Sequence, residues 1–164
     1  MLKKLIAINL ENNDSQELDL TDAAHSHVIE FMEKAPGGTL LVFLPEAATE
    51  KAIVMCPGGG FRQVNMQHEG YDYAEWFDAQ SITYSVLKYR LPEGNEHTPA
   101  EDITRAIRLL RQGETGRKPR CIHWRIYGCI CRHFRPCRLS SATLSGHQHG
   151  KSLDASAFPR TDVR

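Results

Sequence analysis

Ala52-Ile53-Val54-Met55-Cys56-Pro57-Gly58-Gly59-Gly60 is the stretch on which the reading of this chain turns. Its apolar part shows no alternation. A half-exposed strand would place a polar residue at every second position, so Ala52 to Cys56 reads as a short strand covered on both faces. Pro57 then ends the ladder, and three glycines in a row remove every Cβ from the turn. The backbone can bend sharply there and bring bare N–H groups close to a ligand.

Working outward, residues 39–44 (TLLVFL) form a second apolar run between Pro36-Gly37-Gly38 and Pro45, which predicts another strand. From Glu69 to Gln80, Tyr73, Trp76 and Phe77 fall at i, i+3 and i+4, one aromatic stripe on a predicted helix, with core packing as its role. Ile82 to Tyr89 is β-branched and aromatic enough for a strand, and Pro92, Gly94 and Asn95 mark the loop after it. A helix follows. Thr98 is its predicted cap, Pro99 its first position, and Glu101 completes a capping box. Ile103, Ala106, Ile107 and Leu110 recur at helical spacing, with Arg105, Arg108 and Arg111 off the apolar face. Nearer the start, Leu2 to Leu10 reads as an edge strand and Val28 to Met32 as either strand or helix. Strands alternating with helices predict an α/β domain with right-handed crossovers and a mostly parallel, doubly wound sheet.

The 164 residues are 41% hydrophobic and 24% charged with a formal net charge of +0, the composition of a soluble globular protein. That balance conceals two unlike parts. Residues 1–112 carry ten Lys+Arg against seventeen Asp+Glu, whereas residues 113–164 carry ten against three. Cys121, Cys129, Cys131 and Cys137 also lie in the second part, where apolar residues follow neither the helix nor the strand period. Residues 1–112 are therefore expected to form the α/β unit, and 113–164 an irregular basic tail. No apolar run approaches a membrane span. Lys3 and Lys4 precede an apolar stretch, Leu5 to Leu10, that is too short for a signal peptide, and this makes the cytoplasm the default location. An odd number of cysteines at no extracellular spacing gives no disulfide framework.

A loop of bare N–H groups after a buried strand is a candidate oxyanion hole, since donors fixed in advance stabilise the charge that develops in acyl transfer. Gly58, Gly59 and Gly60 are the candidate donors, with a plain glycine turn as the alternative. Neither G-x-G-x-x-G nor a P-loop motif is present. The segments CPGGGF, HEGYDYAEWFDAQ, SITYSVLKYRLPEG and HTPAEDITRAIRLLR, in that order between roughly Leu40 and Arg111, resemble the N-terminal half of the α/β-hydrolase esterases related to acetylxylan and acetyl esterases. The resemblance implies a serine nucleophile, no metal or other cofactor, and a small ester or acetylated carbohydrate as substrate. It also implies that Gly58, Gly59 and Gly60 match the family's oxyanion loop, with Pro57 where a histidine often lies. Tyr89, Arg90 and Pro92 match a segment near the site, in a structural role. Against a family of that kind the chain is short, and an incomplete α/β-hydrolase sheet is expected. Its unpaired edge would favour self-association or partner binding.

The family next requires G-x-S-x-G on a strand-to-helix elbow, then Asp or Glu, then His. None is found, so no catalytic residue is assigned. Gly150-Lys151-Ser152-Leu153-Asp154 lacks the second glycine and a preceding buried strand, while His68 and His97 lie before the expected elbow. Two other readings concern the tail. Cys121, Cys129, Cys131, Cys137, His123 and His133 are candidate zinc ligands, but the cysteine gaps of seven, one and five residues match no C-x₂₋₄-C knuckle, and no metal site is expected. Arg125, Arg132, Arg135 and Arg138 near Trp124, Tyr127 and Phe134 have the composition of a nucleic-acid face, although nucleic acid is not the expected partner.

A single cause accounts for charge reversal, cysteine excess and missing elbow together: a tail translated out of frame. Codons for His123 to Arg132, read one nucleotide later, allow Ile-Gly-Val-Phe-Met-Gly-Ala-Ser-Ala-Gly. That is a buried strand running into G-x-S-x-G. One of its glycines is forced, because the Trp124 codon leaves GG as the next frame's first two bases.

Overall fold

The computed structural model describes residues 2–18, 26–95, 97–113, 115 and 118–126. In chain order the elements are β1 (Leu2–Asn9), β2 (Ser15–Leu18), α1 (Ser26–Lys34), β3 (Thr39–Pro45), β4 (Lys51–Cys56), α2 (Ala74–Ala79), β5 (Thr83–Lys88), α3 (Thr98–Gln112) and β6 (Cys121–Ile126). Among the described residues, six strands form one sheet in the order β2-β1-β3-β5-β4-β6. The class is α/β, as expected, and it is consistent with part of a hydrolase fold.

The sheet is mixed, which corrects the expectation of mostly parallel strands. Only β5, β4 and β6 run parallel, whereas β2, β1, β3 and β5 pair antiparallel in succession. Connection length is the reason. A parallel return needs a crossover of a dozen or more residues. The links at 10–14 and 46–50 are too short for that, so β2 reverses on β1 and β3 runs against β4 and β5. The polar hairpin strand β2, exposed at every position but Leu18, takes the edge expected for Leu2 to Leu10. β1 consequently lies inside, between β2 and β3.

Helices cover both faces of the sheet. On one face Leu40, Val42, Val54, Cys56, Leu87 and Tyr89 pack with Ile103, Ile107 and Leu110 of α3. On the other, Leu41, Phe43, Ile53, Met55, Tyr84 and Val86 pack with Val28 and Met32 of α1 and Ala74 and Phe77 of α2. Neighbouring residues of one strand thus enter opposite cores, and this is why the runs in β3 and β4 are apolar without alternation. The Val28–Met32 ambiguity resolves as helix. At its end the Lys88 ammonium, from β5, donates to the carbonyls of Met32 (2.6 Å), Ala35 (2.7 Å) and Glu33 (3.2 Å).

Two helix expectations need adjustment. Glu69–Gln80 is not one helix: a 3-10 turn at Tyr71–Tyr73 leads into the short α2, because Gly70 sits at φ −132°, ψ −87°. The aromatic stripe does pack in the core. Phe77 stacks on Tyr84 at 4.6 Å, and Trp76 meets Phe77 edge-on at 4.8 Å. In α3 the capping box does not form, since Thr98 already lies inside the helix and His97 holds the cap position without a side-chain bond. A missing cap costs about 1 kcal/mol. Each large apolar side chain that α3 buries contributes about 1.5–3 kcal/mol, so packing rather than capping holds it. Gly113, left-handed at φ 85°, closes the helix.

Beyond Gly113 the chain returns to the sheet, contrary to the irregular tail expected from residue 113. β6 pairs in parallel with β4, from Lys51 opposite Cys121 to Cys56 opposite Ile126, and Arg120 and Cys121 donate backbone N–H groups to Glu50. The strand is short, and its partner lies some seventy positions earlier. Among the described residues, no helix is long and apolar enough to cross a membrane.

Candidate functional site

β4 delivers Cys56, Pro57 and Gly58, all buried, to the carboxyl end of the parallel part of the sheet. The chain then turns through three successive positive φ values, Gly59 at 143°, Gly60 at 64° and Phe61 at 61°. A left-handed phenylalanine is disfavoured by about 1–2 kcal/mol, so the surrounding turn must hold it. Two backbone bonds do so: Asn65 N–H to the Gly58 carbonyl at 2.8 Å, and Arg62 N–H to the Gly59 carbonyl at 3.2 Å. At Gly59 a Cβ would meet the Gln63 carbonyl oxygen at 2.1 Å, and only glycine fits. At Gly60 a Cβ would meet nothing within 4 Å, so the loop faces open space there.

The three glycines do not offer three equivalent donors. Gly58 N–H is already bonded to Oε2 of the half-buried Glu69 at 2.5 Å. The N–H groups of Gly59 and Gly60 have no hydrogen-bond partner among the described residues. Sequence reasoning missed Glu69. Its carboxylate reaches the loop from a turn in the 57–73 connection, and no motif spacing signals that return. The neighbouring strand completes the setting, because the buried Tyr89 hydroxyl donates to the Pro57 carbonyl at 2.8 Å.

Helices following β4 and β5 lie on opposite faces, so their loops part at the carboxyl ends of the strands, the position at which open α/β sheets bind ligands. β6 ends beside β4, Cys56 opposite Ile126. The expected elbow, at positions 128–132, lies outside the described residues, as do Ser152, Cys129, Cys131, Cys137 and His133. Cys121 is exposed on β6, and the described residues contain no group of three or more metal-ligating side chains.

Arg90 and Pro92 make contacts within the framework around the loop. Arg90 wraps Gly37 and grips Asp102 of α3 through Nη2 (2.7 Å) and Nε (3.1 Å), while its backbone N–H also donates to Asp102 at 2.8 Å. Those hydrogen bonds hold the Arg90 pKa above its ordinary value. The Pro92 carbonyl accepts Asn95 N–H within its loop. His68 is exposed, with Nδ1 3.2 Å from Asp72, and His97 is exposed at the start of α3. No hydrogen bond among the described residues joins either histidine to the glycine loop. Cys56, the thiol nearest the loop in sequence, is no nucleophile: complete burial pushes its pKa far up and keeps it protonated.

No family model matches the chain. A relative does: the chain is 40% identical over 72 residues to acetylxylan esterase of Xylanibacter ruminicola, and the match takes in 44% of this chain and 15% of that protein. The chain therefore spans only a small part of the relative it matches. Over that stretch it is similar to an acetylxylan esterase, in agreement with the resemblance carried by its four ordered segments.

Proposed function

We propose that the described residues are part of a serine carboxylic-ester hydrolase acting on small acyl esters, acetylated carbohydrate above all, and that the chain as written is catalytically incomplete. The observation that carries this reading is the placement of the glycine loop. It leaves the carboxyl end of β4 one strand away from the carboxyl end of β6. An oxyanion loop and a nucleophile elbow have to converge on one carbonyl, and adjacent parallel strand ends bring them together. The relative's name supplies the substrate class. G-x-S-x-G occurs nowhere in the 164 residues. The out-of-frame reading explains the gap, because it puts the first elbow glycine at position 128, two residues after β6 ends, and the serine at position 130.

Sequencing the coding DNA tests this directly. A shifted frame that runs through the elbow to downstream Asp and His codons is the expected result, and early stop codons in both other frames refute it. The protein as written should hydrolyse p-nitrophenyl acetate no faster than a scrambled-loop control and should resist fluorophosphonate labelling. Stoichiometric labelling of one serine would reveal an unrecognised nucleophile.

A further inference from the structure

We propose that Glu69 is a positioning residue for the glycine loop: with Tyr89 it locks the Pro57–Gly58 peptide, removes Gly58 from the set of donors, and leaves the N–H groups of Gly59 and Gly60 as the anion-binding pair. The inference rests on the acyl-transfer reading only for the use made of those donors. Three consecutive peptide units set the direction of these donors. In a trans peptide the carbonyl and the N–H point in opposite directions, and no described peptide is cis. The Pro57–Gly58 unit is held at both ends, its carbonyl by the Tyr89 hydroxyl at 2.8 Å and its N–H by the Glu69 carboxylate at 2.5 Å. It cannot rotate without breaking one bond or the other. In the next two units the carbonyls of Gly58 and Gly59 are drawn to Asn65 N–H and Arg62 N–H. Their own N–H groups, on Gly59 and Gly60, must therefore point away from the 62–65 turn. A third donor from Gly58 would require a ligand to displace the carboxylate from a buried amide.

Glu69 also solves a folding problem. Gly58 is buried at a strand end where the ladder has stopped, and its N–H would otherwise lack an acceptor. A carboxylate makes the stronger, charge-assisted bond. Occupying this amide and orienting the two that follow are the same interaction, so a side chain eleven residues beyond Gly58 sets the direction of the loop.

Nuclear magnetic resonance of the full chain provides the test. The sequence contains two Pro–Gly pairs, Pro36-Gly37 and Pro57-Gly58. Labelling proline with 13C at the carbonyl and glycine with 15N isolates those two amides, one an internal control. Gly58 should exchange its amide proton about tenfold or more slowly than Gly59 and Gly60, as a charge-assisted bond predicts. Glu69→Ala should abolish that difference and shift the Gly58, Gly59 and Gly60 signals while sparing Gly37. Glu69→Gln should largely restore them, since its amide oxygen can accept the same bond. Tyr89→Phe should move the Pro57 carbonyl carbon instead. Gly58 exchanging as fast as Gly60 in the unmodified chain overturns the proposal even if Glu69→Ala does not fold, and so does an unmoved Gly58 signal in a folded Glu69→Ala. No step involves hydrolysis, so failure of the esterase reading is scored separately, by the coding DNA.

Discussion

Replacing Asp102 by alanine cuts the polar tie between α3 and the chain leaving β5. Asp102 is 1% exposed and accepts three donors from Arg90: the backbone N–H, Nε and Nη2. The losses differ in kind. Arg90 N–H would lose its acceptor beside α3, at a cost of about 1–3 kcal/mol for an unsatisfied buried donor. The guanidinium loses less, because its side chain is 39% exposed and can return to water, with Glu11 still 3.8 Å away. For such a half-exposed pair the contribution is about 1 kcal/mol or less. The total is about 1–4 kcal/mol. With an m value of about 1–1.5 kcal/mol/M in urea, the midpoint followed by far-ultraviolet circular dichroism should fall by about 2 M. Asp102→Asn keeps an acceptor for the backbone N–H and should cost about half as much. Because the backbone bond dominates, 0.5 M salt (on the order of a 4 Å screening length) should leave most of the loss in place. A midpoint for Asp102→Ala within about 0.5 kcal/mol of the unmodified chain would refute this division of the interaction.

Gly59→Ala should destabilise by about 3 kcal/mol or more, since its Cβ would press on the Gln63 carbonyl at 2.1 Å; Gly60→Ala, with space around it, should cost about 1 kcal/mol, and equal midpoints for the two would contradict the loop geometry. Tyr84→Phe keeps the stack on Phe77 but removes the shorter of two bonds to the buried Gly70 carbonyl, 2.8 Å against 3.3 Å from Tyr73 N–H, so a loss of about 1 kcal/mol is expected in urea melts. Lys88→Met removes the cation from the carbonyl end of α1, and a comparable loss of about 1–2 kcal/mol should accompany faster hydrogen exchange near Met32 and Ala35. Unchanged exchange there would mean that Lys88 does not hold the helix end.

Much of the candidate site was legible in the sequence. Pro57-Gly58-Gly59-Gly60 after an apolar run marked the turn taken as the candidate site, and the structure puts that turn at a strand's carboxyl end. Which amides are available was not legible. That depends on Glu69 and Tyr89, which approach the loop from a turn and from the neighbouring strand. Nor was β6, because it is short and its pairing partner is remote.

The sequence by itself determined the elements whose signals are local. The both-faces-covered strands β3, β4 and β5, the aromatic stripe ending in Phe77 and the apolar face of α3 all follow from which residues can tolerate burial at a given spacing. Tertiary structure alone decided the inner place of β1, the failure of the Thr98 capping box and the partner of the Gly58 amide. Each of these depends on the space and hydrogen-bonding groups that distant segments bring to a residue. Periodicity along the chain records which side chains seek a core, but not which strand or carboxylate will meet them there.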